Sequence, residues 1–157
     1  SRDDLGTTTG PIISPALFRR LVLPRMRRIF DFVRARTDAK IFHHCDGAIY
    51  PLLGDLAEAG VQITNPVQVN VADMGDTARL KAEFGDRLTF WGAIDTSTVL
   101  PRGTPADVRQ EVQRRIADLG PGGGYVLCSV HNIQPDVPPE NVVAMFDAAL
   151  EYGRHGD

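Results

Sequence analysis

Four consecutive residues able to bind a metal or move a proton, His43, His44, Cys45 and Asp46, stand in the stretch "IFHHCDG" between an apolar pair and Gly47. In an extended strand alternate side chains share a face, so His43 pairs with Cys45 and His44 pairs with Asp46. A His/Cys pair offers a soft thiolate to zinc, whereas a His/Asp pair is harder and suits water activation on zinc, manganese or iron. Spacing alone leaves both pairs open. The other residues with chemistry in them are Asn65 and Gln68 in "NPVQ", Asp95 in "WGAIDT", Cys128 and His131 in "LCSVH", and the acidic pair Asp3 and Asp4.

The elements that must position these groups follow from hydrophobic period and from punctuation. Helical patterns occupy 15–36, 48–59, 76–84, 105–119 and 139–152. Ser14-Pro15, Asp76-Thr77 and Thr104-Pro105 read as caps with first-turn residues, and Gly60, Gly85, Gly120 and Gly153 close the helices. Pro24 lies inside the first helix, where it should kink or restart it. Strand patterns occupy 40–44, 61–64, 88–93 and 125–130. Four strands alternating with five helices imply an α/β fold with a parallel sheet and right-handed crossovers, whose site lies at the carboxyl ends of the strands. The polar residues collect at those ends: His43 to Asp46 after the first strand, Asn65 and Gln68 after the second, Asp95 after the third and His131 after the fourth.

With 157 residues, 43% of them hydrophobic, and a net charge of -3, the composition is that of one soluble globular domain, 1–157, with its own core. No apolar run approaches the roughly 20 residues that span a bilayer, and no leader pattern opens the sequence, so the expected location is cytoplasmic. The mildly acidic balance gives no support for nucleic-acid binding. Two cysteines in a chain of this size read as reduced thiols. Seven arginines between Arg19 and Arg36 read as the solvated face of an amphipathic helix whose other face carries Phe18, Val22, Met26, Ile29, Phe30 and Val33. Gly122-Gly123-Gly124 follows a helix and opens a strand, the reverse of a phosphate-binding loop, and reads as a connector. In the last strand Tyr125, Leu127, Ser129 and His131 share one face, which leaves Cys128 on the other as a core thiol under the helices. His155, in the polar tail, reads as solvated.

The segments "DDLG…GPIISPALFRRLVLPRM", "DGAIYPLLGDLAEAGVQITNPVQ", "FWGAIDT" and "GGGYVLCSVHNIQPDVPPENVVAMFDAA" together resemble the uroporphyrinogen decarboxylase superfamily, closest to its corrinoid-linked, zinc-dependent methyltransferase branch. The resemblance implies a parallel (β/α) half-barrel equivalent to strands five to eight of a TIM-type (β/α)8 barrel, which in full takes about 250 residues. Gly47, followed by "AIYPL", matches the family glycine. This places His44 on the family's ligand histidine, Asp46 on its ligand cysteine and His131 on the ligand near the last strand, with Cys45 displaced by one. The implied metal site is therefore His44, Asp46 and His131, holding Zn2+ or another divalent ion. Asn65, Gln68 and Asp4 are expected to contact substrate, Asn65 and Gln68 alternatively orienting the ligands, and Asp95 and Cys45 are the expected catalytic groups.

The implied reaction is methyl transfer between a corrinoid and a thiol or pterin acceptor, with a corrinoid protein as partner. Two further readings stand beside it: a metal-dependent hydrolase of phosphoesters or esters using metal-bound water, and a non-catalytic half-barrel. A half-barrel exposes its outer strands and inner face, so the chain is expected to form a homodimer that completes a barrel.

Overall fold

The computed structural model describes residues 1–154; His155 lies outside the described residues. The first helical stretch is built in three parts, α1 (Pro15–Leu17), a π-turn over Phe18–Val22 and α2 (Leu23–Arg34). Ser14 caps it, its hydroxyl accepting from the Leu17 N–H at 3.2 Å. Pro24 falls in the first turn of α2. A proline ring has no N–H to give and crowds the carbonyl one turn back, so the chain widens ahead of it and the α-helix restarts, as the sequence anticipates. Phe18, Met26 and Phe30 enter the core while Arg19 and Arg27 pair outward with Asp55 and Glu58.

Four strands follow: β1 (Phe42–His44), β2 (Ile63–Val67), β3 (Thr89–Ile94) and β4 (Tyr125–Ser129), parallel and in the order β1-β2-β3-β4. Between and after them lie α3 (Leu53–Ala59), entered through a tight turn at Tyr50–Leu52, then α4 (Thr77–Phe84), α5 (Val99–Arg102), α6 (Pro105–Leu119) and α7 (Pro139–Tyr152). The pattern is that of one half of a TIM-type barrel. Asp76 caps α4, and Thr104 with Asp107 forms a reciprocal capping box on α6. The four-residue α5 is too short to show a helical period, and its Pro101 hides it further. β2 runs on to Val67, so Asn65 lies inside the strand rather than after it. The ladder to β3 shifts register between Thr64 and Val67, where Pro66 has no N–H to donate.

Alternation along the strands sorts the two sheet faces. His43, Thr64 and Phe90 are register partners and are fully buried on the helix side. Phe42, His44, Ile63, Asn65 and Trp91 are half-buried on the other side, the one that lines the interior of a barrel. There Phe42 and Trp91 meet edge to face with ring centroids 5.4 Å apart. In β4 the expected parity holds but the faces are exchanged. Tyr125 and Leu127 pack against the two buried clusters, so Cys128 lies on the interior side and is half-exposed. Both faces of β4 are apolar and none of its residues is fully buried, so period alone does not tell inside from outside.

The amino-terminal residues are part of the sheet's edge. The Ser1 amino group donates to the Phe42 carbonyl at 2.7 Å, the His44 N–H to the Ser1 carbonyl at 2.9 Å and the Asp3 N–H to the His44 carbonyl at 3.2 Å, making a parallel bridge at Arg2. The loop that follows lies against the turn after β1, where a Cβ on Gly47 (φ +93°) would stand 2.4 Å from the carbonyl carbon of Gly6. At the opposite end of the sheet Gly122, Gly123 and Gly124 are all left-handed, and the Lys81 ammonium holds the Gly123 carbonyl at 2.5 Å, which fits the connector reading. No described helix is long and apolar enough to cross a membrane.

Candidate metal centre

His44 ends β1 on the interior face and Asp46 follows two residues on, so the pleat keeps their side chains together while Gly47 turns the chain away. His131 arrives from the far edge of the sheet, two residues beyond β4. One ligand atom from each of the three residues lies within 4.8 Å of the other two. His44 Nε2 stands 3.2 Å from Asp46 Oδ2, and His131 Nε2 stands 3.9 Å from the same oxygen. The two imidazole rings are 6.1 Å apart and steeply inclined. Two imidazoles converging on one carboxylate, with solvent access, form an open three-donor site of the kind that holds a catalytic divalent metal and leaves room for a fourth group.

The residues expected to bind substrate are placed around these ligands. Asn65 Oδ1 is 2.7 Å from His44 Nδ1. Gln68 Oε1 accepts from the Gly47 N–H at 2.8 Å, and Asp4 Oδ1 accepts from the Asp46 N–H at 3.4 Å. Asn65 therefore holds the His44 ring, while Gln68 and Asp4 hold the backbone on the two sides of the Asp46 side chain. All three lie behind the candidate ligands, where groups that orient a metal's ligands usually stand.

The two groups expected to be catalytic, Asp95 and Cys45, are both buried and hydrogen-bonded within their own loops or core. Asp95 is 5% exposed; its Oδ1 accepts from the Ser97 N–H at 2.7 Å and its Oδ2 from the Thr98 hydroxyl, so it caps the turn into α5. Cys45 is 1% exposed and packed in the main core, its sulfur accepting from the Leu5 N–H at 3.2 Å. Burial pushes its thiol up to about 11, against a nucleophilic role. His43 faces the same way. Burial lowers its ring to about 4, so it stands neutral with Nδ1 2.8 Å from the Ser1 hydroxyl. The pleat thus separates the two pairs, with His44 and Asp46 on the open side and His43 and Cys45 buried behind them.

Sequence reasoning missed Cys128 as a site residue. Its half-exposed thiol lines, with His44, Asn65 and His131, an open cavity of about 460 Å³. The sulfur donates to the Ser129 carbonyl at 3.1 Å, and burial raises the thiol above its ordinary value, opposed by a hydrogen bond with Trp91. The available signal was its spacing of three residues from His131, which does not reveal the face.

A parallel sheet whose carboxyl ends gather ligand-type side chains from its first and last strands defines the chain as part of a (β/α)-barrel protein with its site in the usual place for that class. The chain belongs to the uroporphyrinogen decarboxylase (URO-D) family, whose pattern matches residues 3–152. It is 29% identical over 150 residues to a uroporphyrinogen decarboxylase of Pseudoalteromonas atlantica, a match covering 92% of this chain and 39% of the relative. It is 36% identical over 148 residues to one of Pseudoalteromonas translucida, covering 91% and 39%. A solved methyltransferase from Methanosarcina mazei superposes with a TM-score of 0.75 at 22% identity, over 98% of this chain and 41% of that one, a likeness of fold. The chain spans about two fifths of the length of these relatives.

Proposed function

We propose that this chain supplies the metal-binding half of a methyltransferase-type active site, in which His44, Asp46 and His131 hold a zinc ion and methyl transfer runs between a corrinoid and a thiol or pterin acceptor. The observation that carries the reading is the convergence of the three ligand atoms within 4.8 Å. When bound, zinc supplies Lewis acidity that lowers the pKa of an acceptor group. The chain's own residues do the rest. Asp46 would partly neutralise the ion, the two imidazoles would hold it, and the cavity beside His131 would admit the acceptor. The decarboxylase names of the relatives suggest a porphyrinogen substrate instead; the convergence of two imidazoles on one carboxylate is what favours the metal-dependent reading here.

The test is element analysis of the purified protein paired with thiol-dependent demethylation of methylcobalamin. One zinc per chain, lost in Asp46→Ala, together with turnover is the expected result. Absence of stoichiometric metal from protein reconstituted with zinc would overturn the reading and favour a half-barrel that catalyses nothing. The remaining wall of the cavity must come from outside the described residues. A homodimer assigns it to a second copy, which light scattering on the eluting protein tests, a monomeric mass ruling that assignment out.

One observation favours hydrolysis as a second reading. With Cys45 buried, the donor set is two nitrogens and a carboxylate, a harder set that suits activation of water. Esterase or phosphatase turnover that disappears in His131→Ala would select it.

A further inference from the structure

We propose that Asn65 is a positioning residue that holds the His44 ring with a proton on Nδ1, so that Nε2 is turned to the space shared by Asp46 and His131. The inference deepens the metal-centre reading and rests on it for its purpose, but the proton's location is a property of the protein alone.

The argument is one of hydrogen-bond valence. An amide oxygen has no proton to give, so the 2.7 Å contact between Asn65 Oδ1 and His44 Nδ1 requires the proton on Nδ1. A neutral imidazole carries one ring proton, which leaves Nε2 as an acceptor. Nε2 then faces Asp46 Oδ2 at 3.2 Å, itself an acceptor, with the second imidazole's Nε2 3.9 Å from that oxygen. In the neutral form of the ring Nε2 and the carboxylate are both acceptors, and a cation, either a proton shared between them or a metal ion, satisfies them together. Free histidine prefers its proton on Nε2, where it would block the coordinating atom. Asn65 reverses that preference.

The backbone makes the arrangement specific to this residue. Asn65 is the direct register partner of His44 across the parallel β1–β2 pair, and both occupy the interior face. The Cys45 N–H donates to the Asn65 carbonyl at 2.7 Å, tying the two strands together immediately beside the side-chain contact. The amide therefore sits on a rigid ladder and not on a loop, as an orienting group must if it is to hold a ring within a narrow angle.

The experiment uses the full chain labelled with ¹⁵N, stripped of metal, with the ring tautomer of His44 read from long-range ¹H–¹⁵N correlation spectra assigned by comparison with His44→Gln. The expected result is Nδ1–H in the unmodified protein, retained in Asn65→Asp, which keeps an acceptor, and changed to Nε2–H in Asn65→Leu. Zinc affinity, measured by competition with a chromophoric chelator, should fall by about 10–100-fold in Asn65→Leu. A ring with its proton on Nε2 and none on Nδ1 in the unmodified protein overturns the proposal without any variant, as does an Asn65→Leu protein with tautomer and affinity unchanged. An Nδ1–H ring in a protein that binds no zinc supports the role of Asn65 while overturning the metal centre.

Discussion

The two outer strands of the sheet each bring a candidate ligand histidine and a cysteine, His44 with Cys45 and His131 with Cys128, and they hold them in opposite ways. At β1, His44 is clamped between Asn65 and Asp46, and its neighbour Cys45 is sealed in the core. At β4, Cys128 is the half-open thiol, and His131 stands in a bend with 46% of its side chain exposed, its nearest polar partner in the cluster the Asp46 oxygen at 3.9 Å. One arm is built before any ligand arrives; the other has freedom to adjust. A centre that must exchange its fourth group during turnover gains from such asymmetry, since a fixed side sets the geometry and a looser side follows the substrate.

The sharpest way to break the comparison is to remove the group both arms share. Asp46→Ala should abolish stoichiometric zinc binding, whereas His131→Ala should weaken it while leaving a residual site on the rigid arm; competition titrations of the two variants compare them directly. Equal losses would show that the β4 arm is as preorganised as the β1 arm.

The rigid arm depends on the crossing of Gly6 and Gly47. Gly47→Ala places a methyl group on a backbone at φ +93° and 2.4 Å from another backbone carbon, so it should lower stability by at least about 3 kcal/mol, read from urea unfolding. A variant as stable as the parent would mean that this turn relaxes freely.

Behind the same arm, His43 links stability to pH. Its folded value of about 4 lies below the unfolded 6.5, so the neutral ring stabilises the fold fully above pH 6.5 and that stability is lost as pH falls through 4. The swing is roughly 3 kcal/mol, and His43→Leu should flatten that part of the curve in denaturant titrations between pH 7 and pH 4. The smallest test separates the cysteines. Under native conditions near neutral pH a maleimide should label Cys128 well before Cys45, whose thiol is buried and raised to about 11. Prior labelling of Cys45 would place the open thiol on the wrong arm.

Much of this was legible in the sequence because it depends on periods and punctuation. The four strands, the restart at Pro24 and the caps at Ser14, Asp76 and Thr104 are local consequences of side-chain chemistry. The grouping of His44 with Asp46 needs only the pleat, and the choice of that pair came from the position of Gly47 in the family resemblance. What period cannot carry is the side of the sheet. Giving the open side of β4 to the face of His131 puts Cys128 under the helices, but the strand is apolar on both faces and only the packing of Tyr125 and Leu127 decides between them. Nor does a sequence say which acceptor a carboxylate or amide will meet. Asp95, in a "DTST" turn, satisfies its own loop, and Asn65 finds His44 through a strand register that β2's irregularity at Pro66 obscures.

The bridge that Ser1–Asp3 makes along β1 has a consequence for how any barrel around this site would close. The backbone of Ser1–Asp3 already takes up hydrogen-bonding groups of β1, the strand that carries His44. Whatever strand lies beside β1 in a closed barrel must either continue this pairing or displace it. The outer edge of the sheet and the position of the His44 ring are therefore coupled: a partner that shifts the one moves the backbone that holds the other.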